Sequence, residues 1–208
     1  VGIVKIMKKN YDDKPQKFIS KLEKYGFTKP IGFSIKGEGK PIVPNPKDKS
    51  WSKISLEWMS WGYGVSLTPM QILMFYNAVA NNGVMVKPMF IKELRRQDKT
   101  EKVFETEIVN SKIASEETLR KVRKIMENVV VRGTAENIYS PNFSMAGKTG
   151  TAKKFIPRTK GKNGEWQGGY YSNKHYVASF AGFFPADNPK YSCIVVIHDP
   201  KKEKGYYG

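Results

Sequence analysis

Ala146-Gly147-Lys148-Thr149-Gly150-Thr151-Ala152-Lys153 is the stretch on which the fold turns, and it admits two chemistries. The first is a phosphate-binding loop, which needs a second glycine five residues before Gly147 and a helix directly after the lysine. Asn142 stands at that position, and Thr151–Ile156 has the composition of an extended segment. Both requirements fail. The second is an edge strand lining a cleft. Lys148 then offers a positive charge to a substrate carboxylate, and Thr149 and Thr151 offer hydroxyl donors. Gly150 lacks a Cβ, so a ligand backbone can lie close against the strand. A lone K-T-G also occurs by chance in ordinary basic turns, so its surroundings must decide.

Downstream of this stretch the pattern is that of strands. A polar Gly/Lys/Pro loop spans about 156–172. Two strands follow, near His175–Phe184 and Tyr191–His198, joined by the turn residues Asp187-Asn188-Pro189 as an antiparallel pair. Upstream the pattern is helical. Phe18, Ile19, Leu22 and Tyr25 recur at helical spacing after Pro15, with Gly26 as the stop. Residues 29–50 are rich in Pro and Gly and read as loop. Thr68-Pro69 is a helix start, the Thr as N-cap and the Pro at the first helical position. Met70–Ala80 is apolar on nearly every face, which predicts a buried helix ending at Asn81-Asn82-Gly83. A further helix opens at Ser115 with Glu116 and Glu117 in its first turn. It carries Leu119, Val122, Met126 and Val129 as its stripe and closes at Gly133. Helices followed by antiparallel strands predict a mixed α/β (α+β) fold.

Composition narrows the function classes. At 208 residues with 39% hydrophobic and 12% aromatic content, the chain can bury a core and is not a disordered polymer. No run approaches the length of a transmembrane helix, and Lys5, Lys8 and Lys9 break the N-terminal apolar stretch before it resembles a signal peptide. The single cysteine, Cys193, lies in the apolar run Ser192–Ile197 and is expected to pack as a small hydrophobe. With that one cysteine and only His175 and His198, neither a structural zinc site nor any other metal or cofactor is expected. The net charge of +17 raises nucleic acid as a partner. The basic residues are scattered through loops without a recognition helix, so nucleic acid is disfavoured, and an anionic membrane surface nearby accounts for the charge as well.

The surroundings of Lys148 then carry a resemblance. Trp61-Gly62-Tyr63-Gly64-Val65-Ser66-Leu67-Thr68-Pro69-Met70-Gln71 resembles the G-[YQ]-G…T-P-x-Q segment of class B penicillin-binding proteins. Asn81-Asn82-Gly83-Val84, Lys87-Pro88, Val131-Arg132-Gly133-Thr134-Ala135, Ala146–Lys153 and Ala181-Gly182-Phe183-Phe184-Pro185-Ala186 resemble further segments in the same order. The ending, through Val195-Val196-Ile197-His198-Asp199-Pro200 to Tyr206-Tyr207-Gly208, looks like the division-type members.

The resemblance implies a penicillin-binding transpeptidase, or serine β-lactamase-like, fold. It implies a serine D,D-transpeptidase of the bacterial inner membrane, facing the periplasm and without cofactor. Its substrates would be the D-Ala-D-Ala stem peptides of peptidoglycan, its inhibitors β-lactams, and its partners membrane proteins of the division machinery. Lys148, Thr149, Gly150 and Thr151 would be the third motif, with the Thr151 backbone N–H one of two oxyanion donors. The first two motifs, S-x-x-K with the nucleophile and S-x-N, would lie ahead of Val1. Residues 1–208 are thus expected to be the C-terminal portion of one transpeptidase domain, lacking its nucleophilic serine and its final strand and helix. Two local matches, Ser50-Trp51-Ser52-Lys53 and Ser140-Pro141-Asn142, are rejected. The first lies in a Pro-rich loop and the second only six residues before Lys148. Trp58, Trp61 and Tyr63 are assigned to packing rather than a groove, and Tyr170-Tyr171 is left unassigned. Alternatives within the same fold are β-lactam sensing or hydrolysis, and outside it a basic nucleic-acid module.

Overall fold

A computed structural model describes residues 2–161, 163 and 165–201. The elements in chain order are α1 (Gly2–Tyr11), α2 (Pro15–Lys24), α3 (Ser55–Met59), α4 (Pro69–Ala80), β1 (Met85–Val86), β2 (Glu93–Arg96), β3 (Lys99–Val103), β4 (Ile108–Asn110), α5 (Glu116–Arg132), a 3₁₀ turn (Glu136–Ile138), β5 (Ala146–Ile156), β6 (Thr159–Lys160), β7 (Trp166–Gln167), β8 (Tyr170–Phe184) and β9 (Tyr191–His198). The chain divides into two units, Val1–Arg120 and Lys121–Gly208. The Tyr206-Tyr207-Gly208 end lies outside the described residues.

The first unit is built around α4. Thr68 and Gln71 form a reciprocal cap: the Thr68 hydroxyl accepts the Gln71 N–H at 3.2 Å, and Gln71 Oε1 accepts the Thr68 N–H at 3.0 Å. Beyond Pro69 no residue of α4 is fully exposed, as its apolar composition predicts. Met74 and Ala78 join Met85 as a buried cluster, with Tyr25, Ile31, Phe75 and Ile113 packed on it. The Phe75 ring meets Tyr25 and Phe27 at centroid separations of 5.2 and 5.6 Å.

Gln71 ties this core together. Its side chain is fully buried. Its Nε2 donates to the carbonyls of Gly26 and Lys29, each at 3.0 Å. Every polar atom of the amide has a partner, so burial of the group is compensated. The Pro/Gly-rich segment after α2 is irregular as predicted, with a single bridge between Ile42 and Ser66. It is held by Glu38, whose carboxylate accepts the N–H groups of Ile31, of Gly32 at 2.9 Å and of Phe33 at 3.2 Å. Gly32, at φ +78°, supplies the left-handed turn that lets three successive amides converge.

No strand is predicted from the sequence between Val84 and Ser115, yet four short ones occur there, β1 pairing with β4 and β2 with β3. They hold two to five residues each, and β3 is exposed throughout. β1 and β4 are too short, and β2 and β3 too charged, to carry a period-2 apolar signal.

In the second unit β5, β8 and β9 form an antiparallel sheet in that order. The polar loop expected over about 156–172 is in part strand: β6 pairs with β7, and β8 starts at Tyr170 rather than near His175. The Asp187-Asn188-Pro189 turn joins β8 to β9 as predicted. It is anchored where Ser144 Oγ donates to Asp187 at 3.0 Å and accepts the Ala186 N–H at 2.9 Å.

Candidate functional site

Lys148, Thr149, Gly150 and Thr151 lie together on β5, which among the described strands pairs only with β8 and so forms the edge of its sheet. Their cross-strand partners are Ala181, Phe180, Ser179 and Ala178. The strand is fixed by a close approach at its start, just before Lys148. A Cβ on Gly147 would stand 2.3 Å from Phe180 Cζ and 2.8 Å from the Ala181 carbonyl, and one on Gly182, its partner, 2.4 Å from the Ala146 carbonyl. Only glycine fits on both sides of this pair. Ala146 and Gly147 are buried, Thr149 and Gly150 are half-buried, and Lys148 and Thr151 are exposed. The strand therefore leaves the interior at the point where its polar side chains begin.

The Lys148 ammonium donates to the Thr149 carbonyl at 2.9 Å and to Thr149 Oγ1 at 3.1 Å. An ammonium has three donors, so one remains. Among the described residues no carboxylate pairs with it. The lysines further along β5 differ: Lys153 donates to Asn173 Oδ1 at 2.6 Å, and Lys154 pairs with Asp199 at 2.7 Å. The Lys154 hydrogen bond, helped by His175 at 3.0 Å, holds the Asp199 carboxyl below its ordinary range despite partial desolvation. Lys148 and Lys153 meet no described carboxylate, and Lys148 is the one of the two whose partners are its own neighbour's carbonyl and hydroxyl.

Sequence reasoning placed Thr134 in a family-like block but not in the site. Its hydroxyl lies 2.8 Å from Thr149 Oγ1. Lys148, Thr149 and Thr134 thus form one hydrogen-bonded chain. Fourteen residues, including a 3₁₀ turn and the start of β5, separate the two threonines, and no local pattern in them announces the contact.

The rejected serines are elsewhere. Ser50 is exposed in a turn five residues before α3, not in the first turn of a helix. The Ser140 hydroxyl accepts the Asn142 N–H at 3.2 Å, so that S-x-N is a local turn. Trp58 packs edge-on against Tyr63 at 5.9 Å, whereas Trp61 is 62% exposed. Tyr170 and Tyr171 open β8, and the Tyr171 ring meets Phe155 at 5.2 Å. No three His, Cys, Asp or Glu side chains gather to hold a metal among the described residues.

Similarity to known proteins bears on this geometry. Stage V sporulation protein D of Bacillus subtilis is 32% identical over 187 residues, which cover 89% of this chain and 27% of that protein. Penicillin-binding protein PbpB of Mycobacterium tuberculosis is 32% identical over 197 residues, covering 90% of this chain and 27% of the relative. The chain thus spans about a quarter of the length of these relatives. Among solved structures, penicillin binding protein 3 from Mycobacterium tuberculosis, complexed with aztreonam, superposes with a TM-score of 0.75 at 29% identity, covering 96% of this chain and 42% of that one. The D,D-transpeptidase domain of a peptidoglycan glycosyltransferase from Eggerthella lenta shares the fold at a TM-score of 0.77 and 23% identity, covering 96% of this chain and 46% of that one. The penicillin binding protein transpeptidase domain matches residues 1–208. The chain belongs to that family, among its class B penicillin-binding proteins.

Proposed function

We propose that this chain supplies the K-T-G wall of a peptidoglycan D,D-transpeptidase that acts in bacterial division. The observation that carries the reading is the Lys148 ammonium, unpaired with any described carboxylate and held against the Thr149 hydroxyl on a sheet edge. Such a pair suits the terminal carboxylate of a D-Ala-D-Ala stem. In the proposed reaction a serine Oγ attacks the penultimate D-Ala carbonyl, and the terminal D-Ala leaves with the proton. The acyl group then passes to the amine of a neighbouring stem, restoring the serine. The Thr151 N–H and the nucleophile's own N–H would hold the developing oxyanion. The serine belongs to a part of the whole protein outside residues 1–208. β-Lactams would acylate the same serine.

A relative in Buchnera aphidicola, 31% identical over 190 residues, is named peptidoglycan D,D-transpeptidase FtsI, which supports the activity and the division role. No helix among the described residues is long and apolar enough to cross a membrane. By the family's resemblance, an inner-membrane anchor, a periplasmic site of action and contacts with membrane proteins of the division machinery are proposed for the whole protein.

In the whole protein, Lys148→Ala or Thr149→Val should slow acylation by a labelled penicillin roughly ten- to a hundred-fold, about 1–3 kcal/mol, with the circular dichroism spectrum unchanged. Rates within about twofold of the parent would discard the assignment. Residues 1–208 alone, incubated with excess penicillin, should show no mass increase. A stable adduct on any serine, and on Ser50 above all, would relocate the active site.

A further inference from the structure

Beyond the K-T-G residues the β5–β8 hairpin continues into a tip built from β6 and β7, where Thr159 pairs with Gln167 and Lys160 with Trp166. Among the described strands β5 pairs only with β8 and β6 only with β7, so the ascending arm keeps one edge open from Lys148 to Lys160. Glycines hold the tip together. Gly168, at φ +83°, sits where a Cβ would run into the Pro157 carbonyl, and the Gly169 N–H donates to the Ile156 carbonyl at 2.7 Å. The stem of Arg158 crosses Gly169, where a Cβ would meet its Cβ, Cγ and Cδ at 3.6–3.8 Å. Its guanidinium lies over the Trp166 indole, 5.0 Å from the ring centroid. Trp166 is nonetheless 61% exposed, and among the described residues no carboxylate pairs with Arg158. Neither core packing nor an ion pair accounts for this stacked couple on the surface.

The function proposed above sets the direction of a ligand along the open edge, and the inference rests on it. With the terminal carboxylate at Lys148 and Thr149 and the attacked carbonyl at the Thr151 N–H, the stem runs toward rising residue numbers. It therefore points at the tip. From Thr151 to Ile156 five residues of strand cover roughly 17 Å. The four stem residues that end at the attacked carbonyl span about 14 Å when extended. The peptide is thus used up near Ile156, and the group delivered to Arg158 and Trp166 is the sugar that bears the stem. We infer that the Arg158–Trp166 tip is a subsite for the amino-sugar ring of a peptidoglycan strand. The apolar C–H face of the pyranose stacks on the indole, and the guanidinium donates to its hydroxyl and acetamido oxygens.

The test follows acylation of the whole protein by a labelled penicillin in the presence of two soluble competitors. One is the pentapeptide L-Ala-γ-D-Glu-L-Lys-D-Ala-D-Ala, the other the N-acetylglucosaminyl-N-acetylmuramoyl muropeptide carrying the same stem. The muropeptide should halve the acylation rate at a concentration about tenfold below that of the free pentapeptide. Trp166→Ala and Arg158→Ala should each bring the two concentrations to within about twofold of one another, and Trp166→Phe, which keeps an aromatic face, should preserve most of the difference. The ratio is read within each variant, so a general loss of activity cancels. Lys174→Ala, which removes a charge from β8 outside the tip, should keep the parent's ratio. A ratio lost equally in Lys174→Ala would reduce the effect to general charge and overturn the subsite. Equal protection by the two competitors in the parent, no protection by the muropeptide up to about 10 mM, or a ratio unmoved by Trp166→Ala would overturn it too, leaving the transpeptidase reading intact. A parent that penicillin does not acylate would fail the transpeptidase reading, and the subsite with it.

Discussion

Two polar clusters in this chain, one in each unit, are built on opposite plans. Around Gln71 every donor and acceptor is consumed internally: the amide is buried, its nitrogen holds two carbonyls and its oxygen caps its own helix. Around Lys148 the donors are consumed only in part. The ammonium leans on its neighbour's carbonyl and hydroxyl, keeps one N–H, and meets no described carboxylate. A polar group whose bonds all close inside the protein contributes to stability, and one left incompletely engaged on an exposed edge is available to a ligand. The two sites should therefore respond to truncation in different measurements.

The largest effect on folding is expected at Gln71. Gln71→Ala strands the Gly26 and Lys29 carbonyls and the Thr68 N–H, and should cost about 3 kcal/mol, read as a lower denaturation midpoint with an unchanged m-value. Gln71→Glu keeps the shape but loses the Nε2 donor and sets a carboxylate against two carbonyls, so it should be worse. A melting temperature unmoved by either change would erase the distinction between the clusters. Gly147→Ala follows, because its Cβ would collide with Phe180 and the Ala181 carbonyl. It should cost about 1–3 kcal/mol and displace β5 from its register, reducing penicillin acylation as well. Lys148→Ala, by contrast, should leave the midpoint alone and act on acylation only. Thr134→Ala should act in the same direction but more weakly than Thr149→Val, since Thr134 reaches the site only through the Thr149 hydroxyl. An effect of Thr134→Ala equal to that of Thr149→Val would place Thr134 in direct contact with the ligand.

How much of this was legible in the sequence follows from the range of the interactions. The α4 cap is local, spanning Thr68 to Gln71, and Thr-Pro-x-Gln announces it without ambiguity. The long strands β8 and β9 and the turn between them show in their apolar runs and turn residues. That residues 146–156 are extended showed in their composition and in the failure of the phosphate loop, whereas the reading of Lys148-Thr149-Gly150 as a motif came from the resemblance of the surrounding segments. What stayed hidden was non-local or short. That Gln71 reaches back more than forty residues to Gly26 and Lys29 has no sequence signature. Neither has the meeting of Thr134 with Thr149 across a 3₁₀ turn and the start of β5. The β2–β3 hairpin escaped because its residues, Glu93–Arg96 and Lys99–Val103, are charged and exposed, so no face is selected by burial.

The smallest expected effect lies at Glu38, a third polar cluster that sharpens the contrast because it is closed yet titratable. Partial desolvation pushes the carboxyl upward, but the N–H groups of Ile31, Phe33 and Gly32, with Lys87 nearby, outweigh it and hold the group below its ordinary range. A carboxyl depressed in the folded state contributes stability that is fully present above the unfolded value of about 4.3. That contribution is lost as pH falls through the lower folded value, because protonation removes the charge that gathers the three amides. Glu38→Gln keeps an acceptor but has no charge to lose. Its melting temperature should therefore sit slightly below the parent's at neutral pH, and the two curves should converge as acid protonates Glu38. A gap that stays constant from neutral to strongly acidic solution would show that the segment after α2 is held by shape and not by charge. Glu38 would then join Gln71 as a purely geometric tie.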